Sequence, residues 1–184
     1  MSAETIKFEE KITRFLGRVF PSFNELISCQ RLTGGANQET YRIDFTNGEC
    51  STCCALRRAA GGTLDQTSDE NIGLSNEAAL IQIVAKHDVA VPTVIAMLEE
   101  QDGLGAGFLM PWMFGETHGA RIVRQDRYAE LRKNLAFECG VTLAKIHAID
   151  IEKNRLTELM PERTPEAFVH ATWSRYKNLG TPQP

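Results

Sequence analysis

The residues of this chain best suited to chemistry are the ten from Leu32 to Tyr41, reading Leu-Thr-Gly-Gly-Ala-Asn-Gln-Glu-Thr-Tyr, and a basic pair, Arg57 and Arg58, that ends the next apolar segment. Paired glycines reach positive φ and let backbone amides approach an anion with no Cβ in the way. Together with a guanidinium, Gly34, Gly35, Ala36 and Asn37 read as the phosphate-handling edge of a nucleotide-binding sheet. Phosphoryl transfer also demands a base and metal-binding carboxylates. The 184 residues supply no loop of that composition, so the expectation is one half of such a site without the other.

The elements that must position these residues follow from periodicity. From Thr5 to Phe20 the apolar positions Phe8, Ile12, Phe15, Leu16 and Val19 recur at helical spacing, and Pro21 closes the segment. A strand is expected near Leu26 to Leu32, then the glycine turn. A second strand runs from Thr40 to Phe45, where Tyr41, Ile43 and Phe45 alternate with polar neighbours. Asn47-Gly48 signals a two-residue hairpin, and Cys50 to Arg57 forms the third strand. Ala59 to Gly73 is poor in apolar residues and reads as a mobile loop. A helix capped by Ser75 runs to about His87 and places Glu77 with Leu80, Ile81 and Val84 on one face. Strands over about Thr93 to Glu99 and Phe108 to Met113 bring the sheet to five. Beyond Met113 everything reads as helix: one from about Arg127 to His147, with Leu131, Leu135, Cys139, Leu143 and Ile146 as its apolar face, and a last one capped by Thr164 and Pro165 and ending near Gly180.

Composition narrows the partners. A formal charge of −4 and a pI near 5.6 provide no basic field for a polyanion, so nucleic acid is an unsuitable partner. A hydrophobic fraction of 42% is that of a soluble globular protein, and no segment approaches the ~18 continuous apolar residues of a membrane span. Charged residues interrupt the first twenty positions, which therefore lack the apolar centre of a secretory signal, and the cytoplasm is the expected compartment. Five cysteines, an odd number, favour reduced thiols.

Five antiparallel strands, a glycine turn between the first two, a basic residue ending the third and an inward glutamate on the next helix form an order similar to the small lobe of the kinase-like fold. The phrases Leu32 to Tyr41, Leu56-Arg57-Arg58, Asn76-Glu77-Ala78-Ala79-Leu80, Val91-Pro92-Thr93-Val94 and Phe108 to Gly115, with the helix ending Leu143-Ala144-Lys145-Ile146-His147, resemble the aminoglycoside phosphotransferase family over nearly the whole chain. Leu-Arg-Arg on the third strand resembles the branch associated with acyl-CoA dehydrogenases more than the antibiotic-resistance enzymes. The resemblance implies an α+β, protein-kinase-like small lobe followed by the first helices of an incomplete α-helical large lobe. Its divisions are residues 1–22 as an amphipathic helix, 23–113 as the nucleotide-binding lobe, 114–119 as a linker and 120–184 as the start of the large lobe.

It further implies that Gly34, Gly35, Ala36 and Asn37 cover the phosphates of ATP, that Arg57 stands against the α- and β-phosphates, and that Glu77 pairs with it. Pro111, Trp112 and Met113 would form the hinge that meets adenine. A small hydroxyl-bearing substrate would be the acceptor, with Mg²⁺ expected only in the complete enzyme. Asn37-Gln38 stands where the family often has Ser-Asn, and arginine replaces the usual lysine at Arg57. Family members continue into a His-Gly-Asp loop, a following asparagine and a later aspartate, none of which occurs here, so catalysis by this chain alone is not expected. The alternative is a non-catalytic nucleotide-binding or interaction module derived from that lobe.

Three further patterns imitate sites. His147, Asp150 and Asn154 copy a catalytic loop with the wrong intervals at a helix end. Cys50 and Cys53 have metal-pair spacing, but an odd offset on a strand sends them to opposite faces. Gly103, Gly105 and Gly107 follow a strand but precede another strand rather than a helix. His87, His118 and His170 have no visible carboxylate or cysteine partners, so surface or capping roles are expected.

Overall fold

The computed structural model describes residues 3–33, 38–65, 67 and 71–180. Helix α1 (Ala3–Val19) leads into β1 (Phe23–Arg31), β2 (Gln38–Asn47) and β3 (Cys50–Ala59), followed by α2 (Leu74–Ala85), β4 (Ala96–Met97) and β5 (Gly107–Pro111). These five strands pair antiparallel, in the order β1-β2-β3-β5-β4. Then come α3 (Gly119–Arg124), α4 (Ala129–His147), α5 (Leu156–Leu159) and α6 (Pro165–Asn178). Among the described residues no helix is long and apolar enough to cross a membrane.

The sheet has two working faces because side chains alternate along each strand. One face receives α1. Ile12, Phe15 and Leu16 are fully buried against Tyr41, Ile43, Phe45, Leu56 and Leu109, with Phe8 and Val19 flanking. The opposite face receives α2, where Leu74, Ala78 and Ile81 meet Phe108 and Met110. This four-and-three spacing is the helix's packed stripe. It differs from the expected face in that Leu80 and Val84 are peripheral and Glu77 sits at its edge, half-buried.

Several boundaries differ from expectation for identifiable reasons. Strand β4 contracts to two residues at the sheet edge, although Ile95 and Leu98 N–H still donate to Leu109 and Gly107 carbonyls at 2.8 and 2.9 Å. Strand β5 stops at Pro111, which has no N–H for the ladder. The β2–β3 hairpin loop is Gly48-Glu49, one residue later than Asn47-Gly48, with Gly48 at φ 64° in the first central position. Ser75 lies inside α2, whose N-cap is Gly73 at φ 79°. The stretch from Ala59 to Gly73, expected to be a mobile loop, is anchored at its described residues: Ala106 N–H donates to Thr63 carbonyl at 2.9 Å and Gly61 N–H to Glu39 Oε1 at 3.3 Å. Thr164 caps α6 as expected, its Oγ1 accepting from Ala167 N–H at 3.2 Å.

Candidate functional site

Strand β3 sends its two arginines to opposite faces. Arg57 projects toward α2, where its Nε lies 2.9 Å from Glu77 Oε1, the two side chains 36% and 26% exposed. The pair joins the sheet to the first turn of α2 and is the contact expected from the sequence. It is an ion pair rather than an aligned hydrogen bond, because the buried Nε has no hydrogen-bond acceptor. A half-exposed pair contributes at most about 1 kcal/mol of stability; its main effect is to hold the guanidinium in place. Among the described residues the terminal nitrogens of Arg57 make no hydrogen bond.

Arg58 points to the other face and belongs to a buried polar network. Its Nε donates to Glu39 Oε2 at 2.7 Å and its NH1 to the Leu104 carbonyl at 3.2 Å. The guanidinium lies 4.5 Å from the Phe8 ring centroid and 5.4 Å from that of Tyr41. Glu39, 6% exposed, also accepts from Tyr41 Oη at 3.0 Å and Gly61 N–H, and Arg31 NH2 lies 3.2 Å away. Burial opposes ionisation of Glu39, but the bonds from Arg58, Gly61 and Tyr41 outweigh it and hold the carboxyl below its ordinary value. A cleft of about 750 Å³ opens above this network, between α1 and the sheet, on the face away from Arg57. Its polar floor is already satisfied by the protein, so we assign it to the packing of α1 rather than to chemistry.

Glu39 was not singled out from the sequence, although a signal existed. It shares the parity of Tyr41, Ile43 and Phe45 on β2 and therefore faces the core. Arg42 was missed as well. It projects to the Arg57 side, bound through Nε and NH2 to Asp44 at 3.0 to 3.2 Å, and lies 5.1 Å from the Trp112 ring centroid. Ser28 Oγ donates to the same carboxylate at 2.9 Å.

The segment following β5 contains the other expected site residues. Pro111 ends the strand, and Trp112 N–H donates to the Cys53 carbonyl at 3.1 Å, so that N–H belongs to the sheet. Met113 is 66% exposed. Arg57, Glu77, Arg42 and Trp112 thus share one side of the sheet. Gly34, Gly35, Ala36 and Asn37 lie outside the described residues.

The imitations resolve into structural roles. Asp150 Oδ1 accepts from Lys153 N–H at 2.8 Å, Asn154 Nδ2 donates to the Asp150 carbonyl at 2.8 Å, and Asn154 Oδ1 meets the His87 ring at 3.1 Å. These are turn contacts after α4. Gly105 and Gly107 allow the β4–β5 turn to pass close to the Gly62 and Arg57 backbones. Burial pushes the Cys29 thiol up to about 12 and the Cys54 thiol up to about 11, away from thiolate chemistry. Among the described residues no three His, Cys, Asp or Glu side chains converge as a metal set.

Comparison with known proteins adds the family context. A family described as "Phosphotransferase enzyme family" matches residues 28–182. A crystal structure of a candidate aminoglycoside phosphotransferase from Ralstonia eutropha JMP134 superposes with a TM-score of 0.69 at 18% identity. The alignment covers 95% of this chain and 48% of that one, so the chain spans about half the length of its structural relative. At that identity the likeness establishes the fold, an α+β kinase-like small lobe with following helices. No curated protein matches.

Proposed function

We propose that this chain, which belongs to the phosphotransferase enzyme family, carries the nucleotide-holding part of an ATP-dependent small-molecule phosphotransferase. The observation that carries the reading is the Arg57–Glu77 pair. A carboxylate on α2 holds a guanidinium on β3 through its Nε, at 2.9 Å, and among the described residues the terminal nitrogens make no hydrogen bond. A planar fork with free donors suits the oxygens of a phosphate. The residues present therefore fit a nucleotide's phosphates.

In this reading the unit spans Phe23 to Met113. Arg57 binds the α- and β-phosphate oxygens, Glu77 orients Arg57, and the backbone amides of Gly34, Gly35, Ala36 and Asn37 cover the phosphates. The Pro111–Met113 segment receives the base. Because Trp112 N–H is engaged by Cys53, the backbone groups left to meet it are the Trp112 carbonyl and Met113. Mg²⁺, when bound, would neutralise triphosphate charge. The acceptor is a small molecule bearing a hydroxyl, and Leu56-Arg57-Arg58 supports the branch associated with acyl-CoA dehydrogenases. A general base in a His-Gly-Asp context is absent from the 184 residues, so the chain by itself binds nucleotide without transferring phosphate.

The test is an ATP titration of the chain and of Arg57→Ala. Hydrogen bonds to a charged group are worth about 1.5–3 kcal/mol, so the variant is expected to bind ATP about ten- to a hundredfold more weakly while keeping its melting temperature within a few degrees. Equal ATP affinity in the two proteins overturns the role of Arg57. ATP-dependent phosphorylation by the purified chain overturns the division of labour.

A further inference from the structure

We propose that Asp65 is a positioning residue for the Arg57–Glu77 pair, acting through the N-terminus of α2; the inference rests on the nucleotide-holding reading above. The first amides of a helix have no partner within the helix. In α2 the N-cap is glycine, which has no side chain to offer them. They are satisfied from a distance: Leu74 N–H donates to Asp65 Oδ1 at 2.7 Å and Ser75 N–H to Asp65 Oδ2 at 2.9 Å. One carboxylate, nine and ten residues upstream, thus uses both oxygens to clamp the start of the helix. Its negative charge also complements the positive end of the helix dipole.

The clamp is built tightly. Gly73 has φ 79°, and a Cβ there would lie 2.8 Å from Asp65 Oδ1, so no other residue leaves the carboxylate where it is. Gly73 N–H is itself held by Asn71 Oδ1 at 3.1 Å, and Gly73 carbonyl accepts the Glu77 N–H at 3.0 Å. Glu77 therefore stands in the same first turn as the clamped amides. The chain from β3 to this point is fastened at alternate residues, Gly61 to Glu39, Thr63 to Ala106 and Asp65 to α2. Arg57 and Glu77 are thereby joined by a strap that Asp65 fastens to the start of α2. Without that anchor the first turn of α2 loses two charge-assisted bonds, and the carboxylate that orients Arg57 is no longer fixed.

The measurement is binding of ATP and of adenosine to the full chain, its Asp65→Asn, Asp65→Glu, Gly73→Ala and Glu77→Gln variants, and the Asp65→Asn/Glu77→Gln double variant. Loss of a helix cap is expected to weaken ATP binding about fivefold in Asp65→Asn, with adenosine affinity unchanged because the effect reaches only the phosphate end. Asp65→Glu restores part of the loss. Gly73→Ala, which strains the backbone at φ 79° as well as crowding the carboxylate, is expected to lose at least as much, and Asp65→Glu, which keeps the charge, keeps the inference testable even if Asp65→Asn folds poorly. In the Glu77→Gln background Asp65→Asn adds nothing further. A lower melting temperature with unaltered ATP affinity makes Asp65 merely structural and overturns the proposal, as do losses that add in full. If the parent chain binds no ATP, the nucleotide-holding reading fails and takes this inference with it. If the parent binds ATP in an Arg57-dependent way and Asp65→Asn matches it, only the role of Asp65 fails.

Discussion

At the scale of single residues, adjacent arginines of identical chemistry have different tasks because strand parity separates them. Arg57 is partly exposed and held by one carboxylate; Arg58, 11% exposed, is largely covered by the buried Glu39 and by Phe8 and Tyr41. Removing one partner of a buried charge pair leaves the other uncompensated and costs about 3–5 kcal/mol. Arg58→Ala is therefore expected to destabilise the chain by about 3 kcal/mol in urea unfolding, whereas Arg57→Ala changes stability by about 1 kcal/mol or less. Because Glu39 is held below its ordinary value of 4.5, its contribution is present above that pH and is lost as pH falls through the lowered folded value. Unfolding free energy measured from about pH 5 to about pH 3 should decline less steeply in Glu39→Gln than in the parent. Parallel slopes would remove Glu39 from the acid response.

At the scale of elements, patterns local to one segment were legible and contacts between segments were not. The amphipathic stripe of α1 and the alternation of β2 gave both elements; helical spacing gave only the inward side for Glu77, and its pairing with Arg57, implied by the family resemblance, is present at 2.9 Å. The Asp65 clamp escaped the reading because its two ends are separated by a segment with no periodicity, and Ser75 offered a plausible local cap instead. Strand β4 shrank because an edge strand is defined by its neighbour rather than by its own residues. Glycines in the β4–β5 turn resemble a nucleotide fingerprint only until the packing is seen. Gly105, at φ 81°, lies against the Gly62 backbone where a Cβ would collide. Gly105→Ala combines backbone strain with that collision and is expected to cost at least about 2 kcal/mol. Thermal unfolding checks it, and an unchanged midpoint would show that the turn yields.

At the scale of the whole molecule, the two sides of the chain are unequal. The sheet, α1 and α2 form a closed core, whereas α4 and α6 contain no buried residue, and Phe137, Leu143, Phe168 and Trp173 are all more than half exposed. The apolar positions expected along α4 exist, but nothing among the described residues covers most of them. Exposed apolar surface of this extent binds hydrophobic dyes. The chain at neutral pH without denaturant is expected to enhance such a dye's fluorescence, and Phe137→Lys with Trp173→Lys to reduce the signal; no enhancement in the parent would show that the surface is covered in solution. The sequence by itself determined the order of elements, the α1 stripe, the parity that divides Arg57 from Arg58 and the phrases that belong to a phosphotransferase family. Each is encoded within one segment or in a short regular spacing. Tertiary structure alone decided that Glu39 closes a buried network, that Arg42 reaches Trp112, that Trp112 N–H is spent on the sheet and that Asp65 holds α2, because each depends on which groups of separate segments meet, and a strand's alternation gives a side chain's face but not its partner.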